Sequence, residues 1–184
     1  MTPARVSGWL DGFDTAGDGA SEKSIELVRM LLEHSPYPFS RNQFTPGHIT
    51  ATACVIHPKH SSFILIYHKR LHRWLMPGGH VEAGDSEVSA SAAREAIEET
   101  GIALALGTPR LLSVDVHAIP PKRDEPLHLH HDLTFQFQAA SEAVVITEET
   151  EAVVWATESD FAKYGIAENL QRAVRRARVE TRKV

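Results

Sequence analysis

Glu95, Glu98 and Glu99 are spaced three and four residues apart in a segment of helical periodicity, which gathers their carboxylates on one face within about one turn. Three anionic groups that close repel one another, and a hard divalent cation removes the repulsion. An all-oxygen donor set of this kind suits Mg²⁺ or Mn²⁺. Arg94, beside them, can orient one carboxylate through a forked hydrogen bond. Alone, the three glutamates fit a solvated acidic helix face equally well. The preceding loop favours the metal site. Gly78-Gly79 lets the backbone turn sharply and approach a ligand closely, and Gly84 allows a second unusual turn before the helix.

Residues 78–102, GGHVEAGDSEVSASAAREAIEETGI, carry a longer pattern. Gly79 opens it, Arg94-Glu95-Ala96-Ile97-Glu98-Glu99-Thr100-Gly101-Ile102 closes it, and Trp74-x-x-Pro77-Gly78-Gly79 leads into it. The segment resembles the box of the Nudix hydrolases, G-x5-E-x7-R-E-U-x-E-E-x-G-U with U aliphatic. Two places differ. Ala96 stands at the first U, and the loop carries one extra residue, so the loop glutamate's place falls on Asp85 counting forward from Gly79 and on Ser86 counting back from Arg94.

The resemblance implies a Nudix-type α/β/α sandwich with a mixed sheet, and hydrolysis of a pyrophosphate bond in a nucleoside diphosphate linked to another group. It implies Glu95, Glu98 and Glu99 as Mg²⁺ (or Mn²⁺) ligands with the Gly79 carbonyl, and Arg94, Glu95 and Glu98 as catalytic residues, Arg94 holding the glutamates in place. The general base varies within the family, and Glu142, Glu148, Glu149 and Glu151 precede the strand of Trp155, where any of them can turn to the metal. The alternative is a non-catalytic Nudix-fold nucleotide-binding or regulatory module, although such a module need not keep Arg94-Glu95 and Glu98-Glu99. Isopentenyl-diphosphate isomerase shares the fold but uses a cysteine shortly before the box. Cys54, the single cysteine, sits mid-strand, where a buried structural thiol is expected.

The chain has 11 histidines, enough to require a search for a second metal chemistry. In 127–138, LHLHHDLTFQFQ, a two-residue period puts His131 with Leu127, Leu129, Leu133, Phe135 and Phe137 on an apolar face. His128, His130 and Asp132 share the polar face, where H-x-H aligns two imidazoles but no third strong ligand is evident. Contact with substrate is the better expectation for them.

These groups need a scaffold. Residues 1–47 read as an N-terminal extension with one helix over about 21–34, capped by Ser21 or Ser24, with Ile25, Val28 and Leu32 as its apolar stripe widened by Leu27, Met30 and Leu31. Residues 48–184 read as the Nudix domain. Strands are expected at 48–56, 62–68, 74–79, 110–118, 127–138 and 151–156, and helices at 86–100, 158–164 and 166–180. In the first of these helices Ala90, Ala93 and Ile97 are expected to pack on the sheet, with Gly101 as C-terminal cap. The last helix has a docking stripe of Ile166, Leu170, Val174 and Ala177. Arg172, Arg175, Arg176, Arg178, Arg182 and Lys183 make its end basic, as suits a helix C-terminus.

Composition excludes several classes. With 184 residues, 42% hydrophobic, the chain has ample material for a core. A net charge of −5 argues against a protein held to nucleic acid by a positive field. A lone cysteine cannot form an internal disulfide, and no apolar run suggests a membrane span or signal peptide. A cytoplasmic protein acting on a nucleotide-type small molecule is expected, with a homodimer interface or pocket wall as roles open to residues 1–47.

Overall fold

The computed structural model describes residues 1–122 and 124–181. Among these the sheet has seven strands, β1 (Gly47–Ile56), β2 (Phe63–His68), β3 (Arg73–Leu75), β4 (Gly78–His80), β5 (Arg110–Ile119), β6 (His128–Gln138) and β7 (Thr150–Ala156). The main order is β3-β2-β1-β6-β5, with β4 pairing β1 and β7 pairing β2. The sheet is mixed, because β1 and β6 run parallel, with His48 opposite His130 and Thr50 opposite Asp132, while the other pairs are antiparallel.

Side-chain alternation along β1 divides the molecule into layers. Ile49, Ala51, Ala53 and Val55 face a core shared with helices α1 (Pro3–Asp11), α2 (Gly19–His34) and α3 (Val88–Thr100). On the opposite face Cys54 joins a second core under α5 (Glu168–Thr181), with Phe161 from the short α4 (Phe161–Tyr164). The result is the expected α/β/α sandwich. All four residues of the anticipated α5 stripe are buried. Its arginines take part in the packing: Arg172 pairs with Asp18 and Asp115, and Arg176 donates to the carbonyls of Asp14 and Thr15. Arg182 and Lys183 lie outside the described residues.

The N-terminal segment differs from expectation in three ways. It holds two helices, since Pro3 starts a short one whose Val6 and Leu10 enter the core. Trp9 meets Phe135 edge-on at 5.1 Å between ring centroids. The cap of α2 is Asp18 instead of a serine: it accepts the Ala20 N–H at 3.1 Å, and Ser21 is already inside the helix. The buried side of α2 is narrower than expected, with Val28 and Leu31 buried but Leu27 and Met30 exposed.

Among the described residues no helix is long and apolar enough to cross a membrane.

Candidate active site

The site grows from the contact of β4 with α3. Gly78 donates its N–H to Glu99 Oε2 at 2.9 Å, which ties the last turn of the helix to the strand. Glu95 lies against Gly79 so closely that a Cβ there would stand 2.5 Å from Glu95 Oε1. The absence of a side chain at 79 leaves its space to the Glu95 carboxylate. Gly101 ends α3 in the left-handed region, φ 63°, and returns its N–H to the Ile97 carbonyl.

Arg94 is the hub of the loop. It donates to Asp85 through Nε and Nη2, to the His80 carbonyl at 2.8 Å, to Glu95 at 2.9 Å and to Glu98 at 3.0 Å. The extra loop residue therefore leaves no vacancy: Asp85 supplies the acidic partner, and its second role is to accept the Glu82 N–H. Burial works against the Asp85 carboxylate, but Arg94 and the Glu82 N–H outweigh it and hold the pKa below the usual range.

The face of α3 that packs on the sheet is not the one expected from its alanines. Val88, Ala92 and Ala96 are buried, whereas Ile97 is half exposed. This turn of the helix brings Glu99 inward to 3% exposure, leaves Glu95 at the boundary and puts Glu98 in solvent contact. The helical periodicity is the same for either choice; packing against β1 selects it.

A fourth wall comes from far along the chain. Glu95, Glu98, Glu99, Thr147, Glu148 and Glu149 line a cavity of about 330 Å³. Pairing of β2 with β7 carries the 147–149 loop to α3, and Lys69 fastens it by donating to the Thr147 and Glu148 carbonyls from Nζ and to the Glu149 carbonyl from its backbone N–H. Donor atoms of His68, Glu99 and Glu149 lie within 4.8 Å of one another. His68 is absent from the sequence-based candidates because it ends an apolar strand without a motif. Its Nδ1 accepts the Arg70 N–H, so the ring proton sits on Nε2.

Of the four acids considered as base, Glu148 and Glu149 reach the cavity. Glu142 is paired with Lys59 at 2.9 Å, and Glu151 is exposed and does not line the cavity.

Electrostatics disfavour bare carboxylate charge at this site. Burial raises the Glu95 pKa against the pull of Arg94, and burial with the neighbouring carboxylates pushes Glu99 up to about 8. Concentrated carboxylates whose charge is disfavoured by their own surroundings fit a hard divalent ion, and the donor set is oxygen-rich.

The histidines divide. His131 is a core residue, as expected, at 1% exposure. Asp132 does not join His128 and His130 as a ligand, because Thr50, Thr52 and Thr134 all donate to it. Their strand face is covered instead of solvated, and His48 from β1 completes a group of three imidazoles. Cys54 is fully buried and its thiol is pushed up to about 12, the opposite of an activated nucleophile.

This strand, glycine turn and carboxylate helix coincide with a known domain, for the NUDIX domain family matches residues 47–177. The chain belongs to the Nudix family. Solved Nudix structures share the fold. The Nudix domain of Shewanella oneidensis NrtR, complexed with ADP ribose, is 17% identical with a TM-score of 0.55, covering 83% of this chain and 96% of its own. The C. elegans Ap4A hydrolase binary complex is 16% identical with a TM-score of 0.53, covering 74% and 98%. MutT from Bacillus halodurans is 20% identical with a TM-score of 0.53, covering 69% and 79%. No curated protein matches the chain.

Proposed function

We infer that this Nudix protein is a hydrolase that uses Mg²⁺ or Mn²⁺ to cleave a pyrophosphate bond in a nucleoside diphosphate linked to another group. The observation that carries this reading is the convergence of Glu95, Glu98 and Glu99 with Glu148 and Glu149 on one cavity. Glu95, Glu98 and Glu99, with the Gly79 carbonyl, are the residues to hold the ion. When bound, it neutralises phosphoryl oxygens and raises the acidity of water.

The chain's own groups supply positioning. Arg94 keeps Glu95 and Glu98 fixed from one guanidinium, so that little reorganisation is left when charge builds on phosphorus. Glu149, which lines the cavity and whose backbone carbonyl is held by the Lys69 N–H, is the group we assign to take the proton of the attacking water. His68, with its proton on Nε2, can donate to the phosphate or to Glu149.

A screen of nucleoside pyrophosphates with Mg²⁺ or Mn²⁺ tests the reading, with Glu98→Gln as control. Metal-dependent formation of two phosphomonoesters, read as phosphate after coupling to a phosphatase, is expected in the wild type, falling by about 10²–10³-fold or more in the variant. Nucleotide binding without turnover by folded, metal-loaded protein would instead identify a binding module.

A further inference from the structure

We propose that His48, His128 and His130 form a second metal site, separate from the carboxylates, that takes a first-row transition ion of the Zn²⁺ type. Their donor nitrogens lie within 4.8 Å of one another. The rings form a nearly equilateral triangle, with centroids 5.2 Å apart for His48 and His128, 4.9 Å for His48 and His130, and 5.2 Å for His128 and His130. The parallel register of β1 and β6 creates the triangle by setting His48 opposite His130, with His128 two residues earlier on the same strand. Zn–N bonds of about 2.0–2.1 Å require closer nitrogens, a change within reach of imidazole side-chain rotation.

The tautomers are arranged for coordination. His48 Nδ1 lies 3.1 Å from the Gln43 carbonyl and His128 Nδ1 lies 2.7 Å from the Pro126 carbonyl, so each ring donates from Nδ1 and keeps a lone pair on Nε2. A backbone carbonyl gripping the far nitrogen is the usual outer-shell support of a metal-bound histidine. His48 is 1% exposed, and its Nε2 is buried with no hydrogen-bond partner, a costly arrangement that a metal bond would relieve.

An all-nitrogen set selects against Mg²⁺ and for Zn²⁺ and its neighbours, so the molecule would sort two ions by donor chemistry. His80 and His117 border the triangle, 5.3 and 5.8 Å from His130 between centroids, and are the groups placed to supply a fourth ligand. His117 is held from the far side by Asp115 at 2.9 Å. Gln43 and Phe44, which meets the His128 ring at 5.1 Å, belong to the segment leading from α2 into β1. A bound ion would therefore pin that segment to β6.

The proposal is independent of the hydrolase reading and is tested without substrate. Untagged, chelator-stripped protein is titrated with Zn²⁺ against a chromophoric chelator and, separately, with Co²⁺ while visible absorption is recorded. The wild type and a Glu95→Gln/Glu98→Gln variant are both expected to bind a single equivalent tightly and to show the intense bands of four-coordinate Co²⁺. His130→Gln, checked for folding by circular dichroism, is expected to bind at least about 10–100-fold more weakly. Failure of the wild type to bind Zn²⁺, or a purely octahedral Co²⁺ spectrum, overturns the site irrespective of any variant. So does tight binding that survives His130→Gln but disappears with the two glutamates, because the ion would then sit on the carboxylates.

Discussion

Asp85 grips Arg94 through both carboxylate oxygens, Oδ1 to Nε and Oδ2 to Nη2, each at 3.2 Å. The same guanidinium reaches Glu95 and Glu98, so the loop acid acts on these two proposed metal ligands through an intermediary. Asp85→Asn keeps the shape but halves the fork and removes its charge. Metal affinity or kcat should fall about 10–100-fold. Thermal unfolding should show the fold intact; unchanged kinetics would mean that Arg94 needs no acidic partner from the loop.

Gly79→Ala separates function from stability. The added Cβ would meet the end of the Glu95 side chain, which can swing away, not rigid backbone. Tm should change little, while Mg²⁺ affinity and turnover drop because Glu95 is displaced. A calorimetric metal titration beside a melting curve distinguishes this from a general loss of fold.

The two remote acids should behave differently. Glu149→Gln is expected to lower kcat by about 10²–10⁴-fold, the usual worth of a positioned base. Glu142→Gln should leave turnover unaltered, since that carboxylate is paired with Lys59 and stands outside the cavity. Equal losses in both variants would refute the assignment.

Asp18 links stability to pH. It caps α2, accepts from Ser21 and pairs with Arg172 of α5 at 3.4 Å. The Ser21 hydroxyl contributes most to holding its pKa below the ordinary 3.8 in the folded state, with burial opposing. The carboxylate form is thus favoured by folding, and its contribution is complete above the unfolded value. It is lost as pH falls below 3.8 through the lower folded value. Asp18→Ala should cost about 1 kcal/mol at neutral pH. That difference from wild type should shrink in acid denaturation series below pH 3.8; a constant difference would show that charge plays no part.

Much of this protein was legible from spacing alone. The glycine turn, the helix with Arg94, Glu95, Glu98 and Glu99, and most strand boundaries follow from local rules: backbone conformation, a 3.6-residue period and two-residue alternation, although the strand expected at 74–79 is two, β3 pairing β2 and β4 pairing β1. So did the sandwich, because strands and helices of these lengths have few ways to bury their apolar faces. The second short helix at Pro3–Asp11 and the Asp18 cap were missed where the sequence offers weak or competing signals.

What spacing could not decide was partnership between distant segments. Which side of α3 is buried depends on the shape of β1, so Ile97 came to solvent and Glu99 went inward. Glu149 and His68 meet Glu99 only through the pairing of β2 with β7, and His48 meets His130 only through the parallel register of β1 and β6. The sequence by itself determined which carboxylates share one helix with Arg94. Tertiary structure alone determined which acids and imidazoles stand beside one another, because strand register is set by the packing of the whole sheet and not by neighbours in the chain.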